Sequence, residues 1–166
     1  MLRKLVVTVM IIIGYLLQTT LFKSITIAGI VPNILLILTS AFGFMRGKNE
    51  GMFIGFLSGL LIDVFFGKIL GFYALVYMFI GFFNGFFRRI FYPEDIKLPM
   101  ILIGLSDLLY SFLCYIFLFL LRGKMHLSYY FLHIMLPEVV YTVLVTLIIY
   151  KVILFIDEWL ERYEVR

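Results

Sequence analysis

Charge is what this sequence has least of. Charged residues make up 14% of the 166 positions and hydrophobic ones 64%, against roughly 25% charged in an ordinary soluble domain. So few polar side chains cannot coat a water-facing surface, which excludes a soluble globular fold and makes lipid the main solvent. No polar stretch is long enough to hold a separate soluble domain. Cysteine is nearly missing as well. Cys114 stands alone inside an apolar run, which excludes an intramolecular disulfide and any multi-cysteine metal site. The net charge of +4 is scattered between apolar runs rather than gathered on one basic face, so nucleic acid has no footprint here. No small-x-small cleavage site follows the apolar run behind Arg3 and Lys4, which is therefore expected to be a retained span rather than a removed signal.

What is present is a series of six apolar runs, at about Leu5–Phe22, Val31–Met45, Gly51–Phe66, Phe72–Phe87, Leu98–Leu121 and Tyr129–Phe155. In lipid each must satisfy its own backbone, as a helix or in a closed barrel. None alternates polar and apolar residues, which excludes a barrel, and no motif recurs at a period of 20 to 50 residues. The expectation is an all-α polytopic membrane protein of six transmembrane helices, forming one domain over residues 1–156 with a short cytoplasmic tail at 157–166. Runs two to four are short: 16 residues of helix, as in Gly51–Phe66, rise only about 24 Å, less than a hydrocarbon core of about 30 Å. With their short links, "RGKNE" and "GKILG", they read as a tight antiparallel stack. Five spans is the alternative, if the second run fails to cross.

Lysines and arginines set the orientation. With six spans and an internal N-terminus, ten lie inside (Arg3, Lys4, Arg46, Lys48, Arg88, Arg89, Lys97, Lys151, Arg162, Arg166) and four outside (Lys23, Lys68, Arg122, Lys124). Both termini are thus expected in the cytoplasm, with Trp159 near the headgroups.

Chemistry would have to come from the intramembrane acids Asp63, Asp107 and Glu138, because a charge at mid-helix is disfavoured by roughly 2.5–3.5 kcal/mol and is placed facing protein or water. Neither proteolytic pattern fits. "GLSD" at 104–107 has Ser106 in place of the second Gly of an intramembrane aspartyl protease, and "GFLSG" spaces its first Gly wrongly for a rhomboid serine. His133 and Glu138, five apart with Pro137 between them, share no helix face and make no metal site. No catalytic, cofactor or metal residue is expected. Asp63, Asp107, His133 and Glu138 are read as polar groups within the helix bundle, with Asp63 as a hydrogen-bonded tie and solute contact as the competing reading.

Glycine carries the more specific signal. Gly43, Gly47, Gly51, Gly55 and Gly59 stand four apart, Asp63 continues the row, and Gly67 and Gly71 extend it; Gly81 and Gly85 repeat the step. Small residues at i and i+4 let two helix backbones approach closely, where dispersion and interhelical hydrogen bonds drive association in lipid. These glycines are expected at a helix–helix contact inside the protein, with another subunit, or both.

Residues 32–89 carry a resemblance. "PNILLIL" opens the second run at Pro32 and Asn33, and "RGKNEGMFIGFLSGLLIDVFFGKILGFYALVYMFIGFFNGFFRR" follows from Arg46. The Pro-Asn, the Arg-Gly turn, Gly-Phe-x-x-Gly-Leu-x-x-Asp and a Leu-Gly about eight residues past the acid resemble the rod shape-determining protein MreD family. In the last run Pro137 and Tyr141 follow the family pattern, while Thr142 stands where Asn is usual. The resemblance implies a helix bundle similar to the substrate-binding S-component of energy-coupling-factor transporters, and a non-enzymatic scaffold in the bacterial cytoplasmic membrane. It implies binding to MreC and a link from MreB filaments to RodA and its penicillin-binding partner. Pro32, Asn33, Gly55, Gly59, Asp63, Gly71 and Gly81 are the family-motif positions. Arg46, Lys48, Arg88 and Arg89 are expected as cytoplasmic contacts, and a homo-oligomer is compatible with the glycine pattern. A solute-binding or transport subunit is the runner-up; it would need a polar cavity near Lys68, Arg122, Lys124 and Asp63.

Overall fold

A computed structural model describes residues 1–26, 29–67, 69–92, 94–118, 123 and 126–166. Lys68, Arg122 and Lys124, assigned above to the outer side, lie outside the described residues. Those described form six helices and no strand: α1 Leu2–Ser24, α2 Ile34–Arg46, α3 Lys48–Phe66, α4 Phe72–Gly85, α5 Lys97–Leu118 and α6 Leu127–Glu164. The chain is an all-α membrane bundle. Four helices, α1, α3, α5 and α6, are long and apolar enough to cross a bilayer. Successive helices reverse direction, so one end of the bundle carries both termini and the α2–α3 link (the terminal end), and the other carries the α3–α4 link (the hairpin end).

The centre belongs to the shortest helix. Every residue of α2 from Ile34 to Met45 is buried, and α1, α3, α4, α5 and α6 all pack around it. Its 13 residues rise only about 20 Å, well under a hydrocarbon thickness of about 30 Å. Protein, not lipid, is its solvent.

Against α2 lies the α3–α4 pair, where glycine decides the separation. A Cβ built on Gly55 would collide with the Tyr77 carbonyl, one on Gly59 with the Tyr73 carbonyl, and one on Gly81 with the Gly51 carbonyl. At Gly85 it would meet the Lys48 backbone at 2.5 Å. Gly43 of α2 joins the contact, since its Cβ would stand 2.8 Å from the Gly81 carbonyl oxygen. Three helix backbones therefore converge on Gly43, Gly51 and Gly81, and only hydrogen side chains fit there. The glycine face is filled from within the chain, which leaves it closed to a second subunit.

Two local irregularities have identifiable causes. In α6 a widened π turn at Phe131–Met135 immediately precedes Pro137, whose ring would clash with the carbonyl four residues back and which has no N–H to donate; the wider turn relieves both. In α1 a π turn at Leu17–Leu21 coincides with Thr19 donating its hydroxyl to the Tyr15 carbonyl at 2.8 Å, a back-bond that bends helices. The stretch expected to be a tail is the end of α6, which runs without a break to Glu164 and keeps Asp157 and Leu160 buried.

Gly55→Leu or Gly59→Leu should lower stability by on the order of 3 kcal/mol or more, since backbone rather than a pliable side chain opposes the new atoms. Phe56→Leu, on the exposed side of the same helix, should be close to neutral. Thermal unfolding in detergent checks all three; wild-type stability for both glycine variants would refute the seam.

Candidate functional site

Asp63 lies in the last turn of α3, where the negative end of its own helix dipole disfavours it. The next helix more than compensates. The Asp63 carboxylate accepts hydrogen bonds from the backbone N–H groups of Gly71 (3.1 Å), Tyr73 (3.0 Å) and Ala74 (2.9 Å). These are N–H groups at the start of α4, which have no partner within that helix, and its N-cap residue Gly71 has no side chain to serve them. Three charge-assisted bonds in a low-dielectric setting outweigh an unfavourable half-charge at the helix end.

Gly67 and Gly71, expected with the packing glycines, have a different task. Gly67 leaves the helix in an extended conformation (φ −70°, ψ 133°), and a Cβ there would press on the Asp63 backbone at 2.7 Å. Gly71 has φ +95°, a left-handed turn that glycine adopts freely, and a Cβ on it would meet nothing within 4 Å. One glycine clears space beside the acid; the other turns the chain so that its N–H reaches the acid.

A second polar centre sits at the buried start of α2. Pro32, itself buried, brings no N–H to satisfy. Asn33 is the N-cap: its Oδ1 accepts from the Leu36 N–H (3.3 Å) and from the Tyr77 hydroxyl (2.7 Å), and its own N–H donates to the Thr142 hydroxyl (3.1 Å). Gln18 of α1 supplies a further acceptor to the Leu35 N–H at 3.2 Å. Four helices thus meet at one helix start. Asp107 of α5 is fully buried within reach of the Asn33 and Thr142 side chains, and neither of its oxygens has a well-aligned hydrogen bond among the described residues. Glu138, half-buried on α6, lies within electrostatic range of Asp107. His133 stands apart, exposed and stacked on Tyr129 with ring centroids 4.3 Å apart.

A third tie is Asn84 of α4, whose Nδ2 lies 2.8 Å from the Ser106 hydroxyl of α5 and 3.4 Å from the Ser40 hydroxyl of α2. Sequence reading passed over Asn84, Gln18 and Tyr77. For Asn84 and Gln18 the signal was available in the rarity of an amide inside an apolar run; Tyr77, one of eleven tyrosines, carried none.

The terminal end is closed by ions. Asp157 Oδ1 accepts from Arg46 Nε at 2.7 Å and from Arg3 Nη2 at 2.9 Å. Arg3 continues to Glu164 (3.1 Å) and Arg46 approaches Glu161 (3.8 Å). Asp157 and both guanidinium side chains are largely shielded, so this cluster retains more of its Coulomb energy than an exposed pair, worth about 0–1 kcal/mol, would. It joins α1, α2 and α6. Lys48, Arg88 and Arg89, expected as contacts alongside Arg46, lie at the same end and enter no ion pair among the described residues.

The whole is a small all-α membrane protein in which the buried side chains of Asp63, Asn33, Asn84 and Asp157 hold helices to one another. The family model of the rod shape-determining protein MreD matches residues 1–156, and the chain belongs to that family, whose role is in rod shape determination. No curated protein and no solved structure matches the chain.

Asp63→Ala should reduce stability by on the order of 2–4 kcal/mol, because three N–H groups, that of Ala74 buried and those of Gly71 and Tyr73 partly so, lose their acceptor. Asp63→Asn should fall in between, since it keeps one acceptor oxygen but turns an NH₂ toward donors. The ranking is checked by thermal unfolding with amide exchange at Tyr73 and Ala74; unchanged protection in Asp63→Ala would refute the cap.

Proposed function

We propose that this chain is a non-catalytic scaffold of the cell-elongation complex, embedded in the bacterial cytoplasmic membrane. In this reading it is multi-pass with both termini in the cytoplasm. It binds an MreC-like membrane protein and through it couples MreB filaments to peptidoglycan synthesis by RodA and its penicillin-binding partner. The observation that carries the reading is the fate of Asp63. Asp63, for which solute contact was the competing reading, has both oxygens engaged by backbone N–H groups at the start of α4. Family membership supports the process, and the grouping of Arg3, Arg46, Lys48, Arg88 and Arg89 at the terminal end supports the orientation through the excess of cytoplasmic cations. Because the glycine seam is internal, partner helices are left the outer faces, such as that of α3, where Phe53 and Phe56 are exposed.

One observation favours the solute-binding alternative: Asp107 is buried within reach of the Asn33 and Thr142 side chains with no well-aligned hydrogen bond among the described residues. The two readings separate experimentally. Under the scaffold reading, depletion rounds rod-shaped cells, the tagged chain recovers an MreC-like protein from solubilised membranes, and Asp107→Asn leaves recovery intact once folded. Normal rods on depletion, with recovery no better than for an unrelated membrane protein, would reject it.

A further inference from the structure

At the terminal end a groove of about 910 Å³ opens between the α2–α3 link and the end of α4. Its wall includes Lys48, Arg88 and Arg89. Two other charged groups in the wall are already engaged: Arg46 is held by Asp157 and Glu161, and Glu50 approaches Arg3 at 4.0 Å. That leaves three cations without a counter-charge among the described residues. Two of them are positioned by neighbours. The Lys48 ammonium sits over the Phe86 ring at 3.7 Å from its centroid, and Arg88 passes close over Gly47, where a Cβ would stand 3.3 Å from its Cδ and Nη1.

The groove adjoins an apolar strip. Phe79 and Phe83 stand at i and i+4 on α4 and share a face; Phe86, the residue that caps the helix, continues it with its ring centroid 6.4 Å from that of Phe83, and each is about half exposed. The strip runs from the cationic groove toward the hairpin end, along the direction a lipid chain takes in its leaflet. A ligand matching both parts has an anionic head at the cations and a hydrocarbon tail along the phenylalanines. Phosphate is the head these groups suit, with Arg offering paired N–H donors and Lys a point charge. Basic pockets between membrane helices near the headgroup level hold such lipids.

We propose that this groove is a binding site for an anionic phospholipid, with its phosphate held by Lys48, Arg88 and Arg89 and its acyl chain lying along Phe79, Phe83 and Phe86. An acidic peptide would match the cations but would leave the adjoining apolar strip without a role.

The test uses the full chain in neutral detergent, titrated with phosphatidylglycerol, phosphatidylcholine or soluble glycerol phosphate, and read by thermal unfolding and by native mass spectrometry. Phosphatidylglycerol should stabilise the wild type and remain bound in the mass spectrum, while the other two should do neither. Arg88→Gln with Arg89→Gln should weaken phosphatidylglycerol binding about 30-fold, or about 2 kcal/mol at roughly 1 kcal/mol per basic side chain. Lys48→Gln alone should show a smaller loss. Lys151→Gln, an exposed cation outside the groove, should bind like the wild type. The proposal is overturned by equal stabilisation from phosphatidylcholine, by equal stabilisation from glycerol phosphate, or by a Lys151→Gln loss as large as that of the double variant. A poly-glutamate peptide that displaces phosphatidylglycerol from the wild type would likewise overturn it in favour of an acidic protein partner.

Discussion

The α3 backbone lies directly on the α4 backbone, and much else follows from that approach. With no side chains between them at Gly51, Gly55, Gly59 and Gly81, the two helices meet over most of their length. That closeness brings the end of α3 within reach of the start of α4, so one carboxylate can serve N–H groups across the link. In lipid this matters more than in water. No solvent waits to pair an orphaned amide, and apolar side chains gain little by leaving hydrocarbon for protein. Close packing and complete backbone pairing are therefore the available sources of specific association, and Asp63 joins the two.

The same constraint explains where polar residues occur. A helix that starts inside the bundle exposes donors to an interior without water, and Asn33, Gln18, Tyr77 and Thr142 gather at that start. A link at the end of the bundle can leave its donors to water, and at the terminal end Lys48, Arg88 and Arg89 enter no ion pair among the described residues. The division leaves the terminal end with two kinds of basic residue: those locked to acids, which close the bundle, and those facing outward.

The six helices were legible in the sequence because each is an apolar run cut off by charge, Gly or Pro. So was the glycine row, although its outer members, Gly67 and Gly71, belong to the turn. Their spacing matched the seam while their backbone angles, which spacing does not report, did not. Burial was not legible. α1 and α2 are comparably apolar, yet α1 is mostly exposed and α2 wholly enclosed. A surface solvated by lipid and an interior packed with protein call for the same residue types, so hydrophobic patterning cannot distinguish them. The polar ties were hidden for another reason. Arg3 and Asp157 are 154 positions apart, and Asn33 and Thr142 are 109 apart; only the folded chain makes them neighbours.

The enclosure of α2 also bears on how the protein is made. A 13-residue helix is too short to partition across a bilayer alone, and its first N–H groups find acceptors on α1 and within its own cap, while that cap is held by α4 and α6. It cannot wait in lipid as an independent span while synthesis continues. Until α6 joins the bundle, the Asn33 N–H lacks its Thr142 acceptor, so the start of α2 depends on a helix more than a hundred residues further along the chain. The sixth helix thus finishes the site of the second, and α2 has its full set of hydrogen-bond partners only when α6 is in place.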